Sequence, residues 1–337
     1  MGVRAFGDYK DTVQSVSFSL RGARSRASAA AATLALVVLP SGVACQPRQP
    51  GSAHVAEAGP IPRPPGPLAL EQATDYVLRL VNHDRAIAGL APVEWDETAA
   101  HAARAHVEDM AKHGYTAHWG TDGSVPEERY TRAGGVHMVL ENAECFFDEQ
   151  TRPLDPSPTF MPVDLEKMEN AFMSETPPHD GHRQNILKPR HNKLGVGLAK
   201  PMGTAQPCLD QEFIDDYGTY DALPKTAHVG EVVHVSGEVH DPLRVGGVGI
   251  ARIEPTKPRT AAELGKTSSY LVPPPYVLYL PPGFVTPKPV EVSGNRFRID
   301  VPLSDARRPG RYEVTVWALF PGDKDLAMVG IRVVNVE

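Results

Sequence analysis

The spacing of apolar positions changes along the chain, from a helical period to a period of two. Over "LEQATDYVLRLVNHDRAIAGL" the apolar residues Ala73, Val77, Leu80, Val81 and Ile87 recur at helical spacing, and Gly89 supplies a stop. "WDETAAHAARAHVEDMAKHGY" predicts a second helix, capped by Asp96 and made compact by alanines 99, 102, 103 and 105. Leu165, Met168 and Phe172 stand at i, i+3 and i+7 and mark the buried face of a third helix, from about Leu165 to Ser174. "NKLGVGLA" (192–199) and "CLDQEFIDDYG" (208–218) read as strands. Beyond Lys225 the alternation is strict: Val233, Val235 and Val239; Phe297, Ile299, Val301 and Leu303; Tyr312, Val314, Val316 and Ala318; then "GIRVVNV". Helices followed by strands predict an α+β domain over residues 70–222. Period-two alternation predicts a β-sandwich over 225–337, with one face of each sheet buried. Each part has its own apolar pattern, so each is expected to bury a core of its own.

Ahead of these domains, residues 1–45 read as an export signal. Arg21, Arg24 and Arg26 precede the apolar run "ASAAAATLALVVL", which is too short to span a bilayer. Small residues then lead to Cys45. The block resembles a bacterial lipoprotein signal, which implies lipid on Cys45 and a membrane anchor, although Gly42 stands where leucine is usual. Residues 46–69 are proline-rich and form a semi-rigid linker.

Charge and cysteine content narrow the picture. The 337 residues carry a net charge of −7, which argues against nucleic acid as the partner. With Cys45 assigned to lipid, Cys145 and Cys208 remain, and export places them where a disulfide persists.

The candidate chemistry starts at "PPHDGHRQNIL", residues 177–187. His179 and His182 stand three apart, but the H-E-x-x-H pattern of zinc proteases is missing, so the pair alone suits a surface loop. His101, His106 and His113 on the second helix read as packing or surface residues, because nothing pairs them at ligand spacing. In the β-domain His234 and His240 read as strand residues, and "RPGRYEV" looks like a tyrosine corner of immunoglobulin-like domains. The apolar, proline-rich 271–285 reads as interdomain packing or a recognition loop.

"LVNHDRAIAGLAPVEWDETAAHAARAHVEDMAKHGYTAH", with Asn82, Arg85, Trp95, Asp96, Gly123, Arg129, the "LEN" of 140–142, "HRQNIL", "LGVGLA" and "QEF", resembles the CAP superfamily of cysteine-rich secretory, antigen 5 and pathogenesis-related proteins (the SCP domain). The motifs come in the family's order over residues 70–220. The resemblance implies an α-β-α sandwich with a central cleft. It places His118 ("YTAHWG"), Glu141 ("LENA"), Glu175 and His182 in that cleft, and leaves His179 incidental. Phe172 stands where the family has tryptophan, and residues 147–164 and "ETPPHD" are longer than usual.

Read by their chemistry, two imidazoles leave the shell of a zinc or other divalent ion open, and two carboxylates suit its support. The same four residues equally suit a hydrogen-bond network between layers. Three functions follow: a cell-envelope binding protein taking a metal or a small apolar or peptide ligand; a metal-assisted hydrolase using His118 and His182 with a glutamate base; an adhesion or scaffold protein binding envelope components. The chain lacks the G-x-S-x-G nucleophile elbow, so the binding reading leads and no residue is assigned as catalytic.

Overall fold

The computed structural model describes Phe18, Ser19, residues 59–267 and residues 269–337. Cys45, most of the expected export segment and the linker up to residue 58 lie outside the described residues.

The first domain is built on a four-stranded sheet in the order β3 (Glu94–Trp95), β6 (Lys193–Ala199), β7 (Cys208–Asp215), β4 (Met138–Glu144). On one face lie α1 (Leu70–Ile87), α4 (Pro162–Met173) and the short α5 (Gly181–Ile186). Their Val77, Val81, Leu165, Phe172 and Ile186 pack on Leu194, Val196, Leu209 and Phe213 of the sheet. Gly89 follows α1 with φ +73°, the left-handed conformation expected of a stop. On the other face lie α2 (Glu97–His113) and α3 (Pro126–Ala133). Asp96 caps α2 by accepting the Ala99 N–H at 2.8 Å. The helix sits directly on the strand: a Cβ at Gly195 would come within 2.1 Å of the Ala100 nitrogen. The α-β-α layering is thus as expected. A two-residue pairing of β2 (Leu68–Ala69) with β5 (Thr159–Phe160) closes the edge near α1. The helices α3 and α5 escape the periodicity because α3 is almost wholly polar and α5 is under two turns long.

Cys145 and Cys208 form a disulfide, as their number and compartment suggested. Its cause is register: β4 and β7 run antiparallel with Glu144 opposite Leu209, so the next pair outward is Cys145 with Cys208.

The second domain is a sandwich of two sheets. One has the order β13 (Glu291–Ser293), β14 (Arg296–Pro302), β10 (Val232–Val239), β8 (Gly218–Tyr220). The other has β1 (Phe18–Ser19), β16 (Asp325–Val336), β15 (Gly310–Leu319), β11 (Arg244–Ile253) and β12 (Val277–Tyr279), with β9 (Thr226–Ala227) also on β16. Val235, Ile299 and Val301 of the first meet Ile250, Val314 and Val316 of the second in one apolar core. Because β8 joins this sandwich, its chain begins at Gly218, a few residues before the expected boundary. The Tyr312 hydroxyl donates to the Arg308 carbonyl at 2.7 Å and accepts the Asp305 N–H at 2.8 Å, the local geometry of a tyrosine corner.

Alternation holds on β14, where Phe297, Ile299 and Val301 are buried between exposed Arg296, Arg298 and Asp300. It fails on β15, where all but the last residue is buried. The second face of β15 and β16 does not meet water but the first domain. Trp317, Leu326, Met328 and Ile331 share a core with Ala99, Tyr130, Met138, Val139 and Ile214. Polar contacts cross the same face. Arg311 pairs with Glu128 at 2.7 Å, and the Tyr270 hydroxyl donates to Glu127. Among the described residues each domain therefore has a core of its own, and two further apolar clusters draw on both, the one around Trp317 and the group in which Leu264 meets Val107, Met110 and Tyr115.

Candidate functional site

A cavity of about 740 Å³ opens along the free edge of β4, where the two domains meet. His118, Glu141 and His182 line it together with residues of α5 and its following loop. Its opposite wall comes from the second domain, through Tyr270, Leu271, Val272 and Leu326–Met328. The proline-rich segment thus contributes its first residues to a cleft wall, while Val285 at its far end is fully exposed.

The motif "HRQNIL" explains how His182 is held. Arg85, fully buried on α1, donates to the carbonyls of Ile186, Lys188 and His191 at 2.8–3.0 Å, tying α5 and its exit to α1. Asn185 donates to Asn142 at 2.9 Å, and Asn142 donates to the His182 carbonyl at 3.1 Å, tying α5 to β4. Phe172 packs on the His182 ring with centroids 4.5 Å apart, filling the place of the expected tryptophan. Glu175 stands behind the ring: its Oε1 lies 2.5 Å from Nδ1, and its Oε2 accepts the His182 backbone N–H at 3.0 Å. Glu175 is a support and not part of the cavity lining. His179 also lies outside the lining.

His118 is held in the same way, with Nδ1 2.8 Å from Glu141 Oε1. The other oxygen of Glu141 accepts from Arg129, which also donates to the carbonyls of His118 and Ser124. Burial alone would raise the Glu141 pKa, but the Arg129 guanidinium, with His106 and His118 beside it, holds the carboxyl well below its usual range. In each pair an Nδ1–H donated to a carboxylate leaves Nε2 bare, the tautomer a metal ligand needs.

Behind Glu141 lies a group that the sequence reading passed over. His106 is buried, the packing alternative of the two expected for it, and its Nε2 donates to the Ala117 carbonyl at 2.8 Å. His106, Glu141 and Asp210 bring one ligand-type atom each within 4.8 Å of one another. Glu212, directly opposite Glu141 on β7, joins them. Burial, followed by the charge of Glu141, pushes Asp210 and Glu212 far above the usual carboxyl range, so both are held as neutral acids. None of the four carboxyl oxygens of Asp210 and Glu212 has a hydrogen-bond partner, and burial without a donor costs a neutral acid far less than it costs a carboxylate. Burial lowers the His106 pKa to about 4, keeping the ring neutral. Arg129 thus offsets the charge of Glu141 inside this buried group.

Residues 78–203 match the family model CAP, the Cysteine-rich secretory protein family. The first domain is a CAP domain. Its matched span carries all four expected cleft residues. No curated protein matches the chain. Among solved structures it is similar to an extracellular protein containing a SCP domain from Bacillus anthracis strain Ames, at 22% identity and TM-score 0.33, covering 45% of each chain. It is also similar to a chitin binding domain from Burkholderia pseudomallei, at 13% identity and TM-score 0.23, covering 34% of this chain and 57% of that one. The chain therefore spans about half the length of each of these structures.

Proposed function

We propose that the protein is an exported binding protein of the cell envelope and that the cleft between its CAP domain and its β-domain is the ligand site. The observation that carries this reading is the pairing of His118 with Glu141 and of His182 with Glu175 on one cavity that also carries an apolar wall, Met138–Leu140 from the CAP domain and Leu271, Val272 and Leu326–Met328 from the β-domain. Ligand sites of this volume are commonly apolar, with a few placed polar groups. Export agrees with the signal-like segment, with the secretory family and with the disulfide. Lipid on Cys45 would anchor the chain, and the proline-rich linker would hold the cleft away from the membrane.

We propose that the ligand of the polar floor is a divalent cation, with zinc the first choice. His118 and His182 would hold it through Nε2, with Glu141 and Glu175 fixing both rings from behind. A bound ion would supply a positive anchor for an anionic group of a ligand whose apolar part lies on Met138, Leu140 and Leu271. With two protein ligands in place of the four of a structural site, affinity should be modest. Titration calorimetry of the full chain with zinc chloride tests this. Wild type and His179→Ala should take up one equivalent; His118→Ala and His182→Ala should take up none. Uptake by neither wild type nor His179→Ala, or full uptake by all four, overturns the assignment.

A further inference from the structure

The two cleft histidines are held by different parts of the chain. His182 is held by CAP-domain groups: Glu175 at its Nδ1, Phe172 on its ring face, and Asn142 at its carbonyl. The β-domain reaches this arm further along, at Arg190, which pairs with Asp323 and lies 4.5 Å over the Phe320 ring. That pair is about a third exposed, and Arg85 already ties the end of α5 to α1. His118 is held differently. Glu141 orients its ring, but the loop that carries it, residues 118–124, packs against a segment of the β-domain, residues 254–267, that follows β11. This segment is ordered by its own chemistry. A capping box starts the short α6 (Ala261–Leu264): the Thr260 N–H donates to Glu263 Oε2 at 2.8 Å, and the Glu263 N–H donates to Thr260 Oγ1 at 3.2 Å. Leu264 then packs with Val107, Met110 and Tyr115 of the CAP domain.

Contacts from the β-domain fall along the whole loop. The Arg259 N–H donates to the Thr121 carbonyl at 2.8 Å, and its guanidinium carbon stands 5.2 Å from the centre of the Trp119 ring. Tyr270 meets the same ring edge-on with centroids 5.2 Å apart, and its hydroxyl is fixed by donating to Glu127. Buried Arg311 donates to the Gly123 carbonyl at 3.2 Å. Gly123 itself has φ +79°, and a Cβ there would come within 2.3 Å of the Lys257 carbonyl oxygen, so the loop and the segment touch backbone to backbone. The CAP domain grips the loop from the other side. Asp109 accepts the Thr121 N–H at 2.8 Å, and Arg129 donates to the His118 and Ser124 carbonyls at 3.1 Å. Trp119 follows His118 directly in the chain, so a ring held between Arg259 and Tyr270 restricts the backbone from which the imidazole projects. Without that hold the loop would have to be ordered when a ligand arrives, which weakens binding.

We propose that Arg259, acting through Trp119, is a positioning residue for His118, so that the β-domain sets one imidazole of the cleft while the CAP domain sets the other. The β-domain is then a working part of the site as well as a wall of it. Loosening the contact between the domains disables His118 before His182. By reciprocity, a ligand that needs both rings tightens the grip of residues 254–267 on the loop. The proposal rests on the reading of His118 as a cleft residue. It concerns the placement of the ring and not what the ring binds, so it is tested on the metal-free full chain and stands or falls apart from the zinc titration.

Nitrogen-15 NMR of the histidine rings tests it, because the ring nitrogens report the tautomer of each imidazole separately. At about pH 8, where a free imidazole is neutral, both rings of wild type should show the Nδ1–H form that their carboxylates select. Arg259→Ala removes the guanidinium from Trp119 and leaves the grip of Asp109 and Arg129 on the loop intact. In that variant the His118 nitrogens should move roughly half of the way toward the values of a freely exchanging imidazole, with those of His182 unmoved. Arg259→Lys, which returns a cation to the ring, should restore most of the wild-type His118 signal. An unmoved His118 in Arg259→Ala overturns the proposal. Equal movement of both rings also overturns it, since that is general loosening of the fold. Gly123→Ala approaches the same contact from the loop side, by driving a methyl group against Lys257, and should displace the same His118 nitrogens. If Gly123→Ala acts and Arg259→Ala does not, the backbone of the loop sets His118 without the β-domain, and the proposal fails.

Discussion

The core of the sandwich and the interior beneath α2 are both closed to water, yet they are made of different material. Val235, Ile250, Ile299 and Val314 fill the first. Glu141, Asp210, Glu212, Arg129 and His106 fill much of the second. An apolar core gains from every methylene placed in it, whereas a buried charge is tolerated only with a partner close by. The sandwich thus stabilises, and the interior behind His118 holds a carboxylate charged and aimed at an imidazole. Stability is spent at one place in the molecule, and the ring that faces the cleft is what it orients.

Removing the cation tests this contrast at its strongest point. Arg129→Met leaves Glu141 buried without its guanidinium, and breaking a buried pair from one side costs about 3–5 kcal/mol. Adding Glu141→Gln should return a large part of that loss, because the orphaned charge goes with it. Urea unfolding of the two variants at pH 7 provides the comparison. A loss below about 1 kcal/mol in the single variant would mean that Glu141 does not depend on Arg129, and the contrast between the two interiors would fall.

A second test uses the acid on the other face of the CAP sheet. Glu169 accepts a hydrogen bond from Gln211 at 2.7 Å, and burial, followed by the charge of Asp84, raises its pKa to about 8. The folded protein therefore keeps a proton that the unfolded chain has released above about pH 4.3. Folding stability from this group is present at low pH and is lost as pH rises through 8. Buried His106 and His191, both lowered to about 4, act in the opposite sense, destabilising the fold as pH falls from about 6.5 toward 4. Between pH 6.5 and 8 both histidines are largely neutral in either state, and Glu169 adds its slope to those of Asp210 and Glu212, which burial raises in the same sense. Wild type should lose up to about 1.4 kcal/mol per pH unit there from this group, and Glu169→Gln should flatten that slope. A variant with the wild-type slope would show that Glu169 is charged in the fold.

Local signals survived into the structure, and pairing-dependent ones did not. Asp96 caps α2 and Gly89 ends α1 because both effects act within one turn of chain. The disulfide was legible by elimination, since export and three cysteines left one pair. His118 and Glu141 are 23 residues apart, and their approach was legible only through a family resemblance. Asp210 and Glu212 were hidden by their own pattern. In "CLDQEFID" they alternate with Leu209, Gln211 and Phe213, and a polar residue out of phase with apolar ones normally faces water. Here that face lies under α2 and α3, and α3 is too polar to announce that it covers anything. The same failure recurs on β15. Arg311 and Glu313 alternate with Tyr312 and Val314, yet they are buried against Glu128 and Glu127 of the CAP domain. Alternation shows which residues share a face, and the tertiary partner decides whether that face is wet.

The smallest expected effect comes from the same kind of ion pair in the opposite setting. On the outer face of the sandwich Arg296 Nε donates to Glu238 Oε2 at 2.9 Å, and both side chains are largely exposed, 80% and 46%. Their strands are paired with Glu238 directly opposite Arg296, so the contact is as well placed as a surface pair can be. Water and salt nevertheless solvate both groups when the pair opens, and each long side chain recovers rotamer freedom. Arg296→Ala should therefore change stability by no more than about 0.5 kcal/mol, with the difference shrinking further in 1 M sodium chloride. Arg129→Met and Arg296→Ala remove the same group from the same kind of carboxylate partner. If their costs differ by several-fold, burial sets the value of the ion pair. If Arg296→Ala costs as much as Arg129→Met, geometry outweighs burial, and the polar interior of the CAP domain needs no special cause.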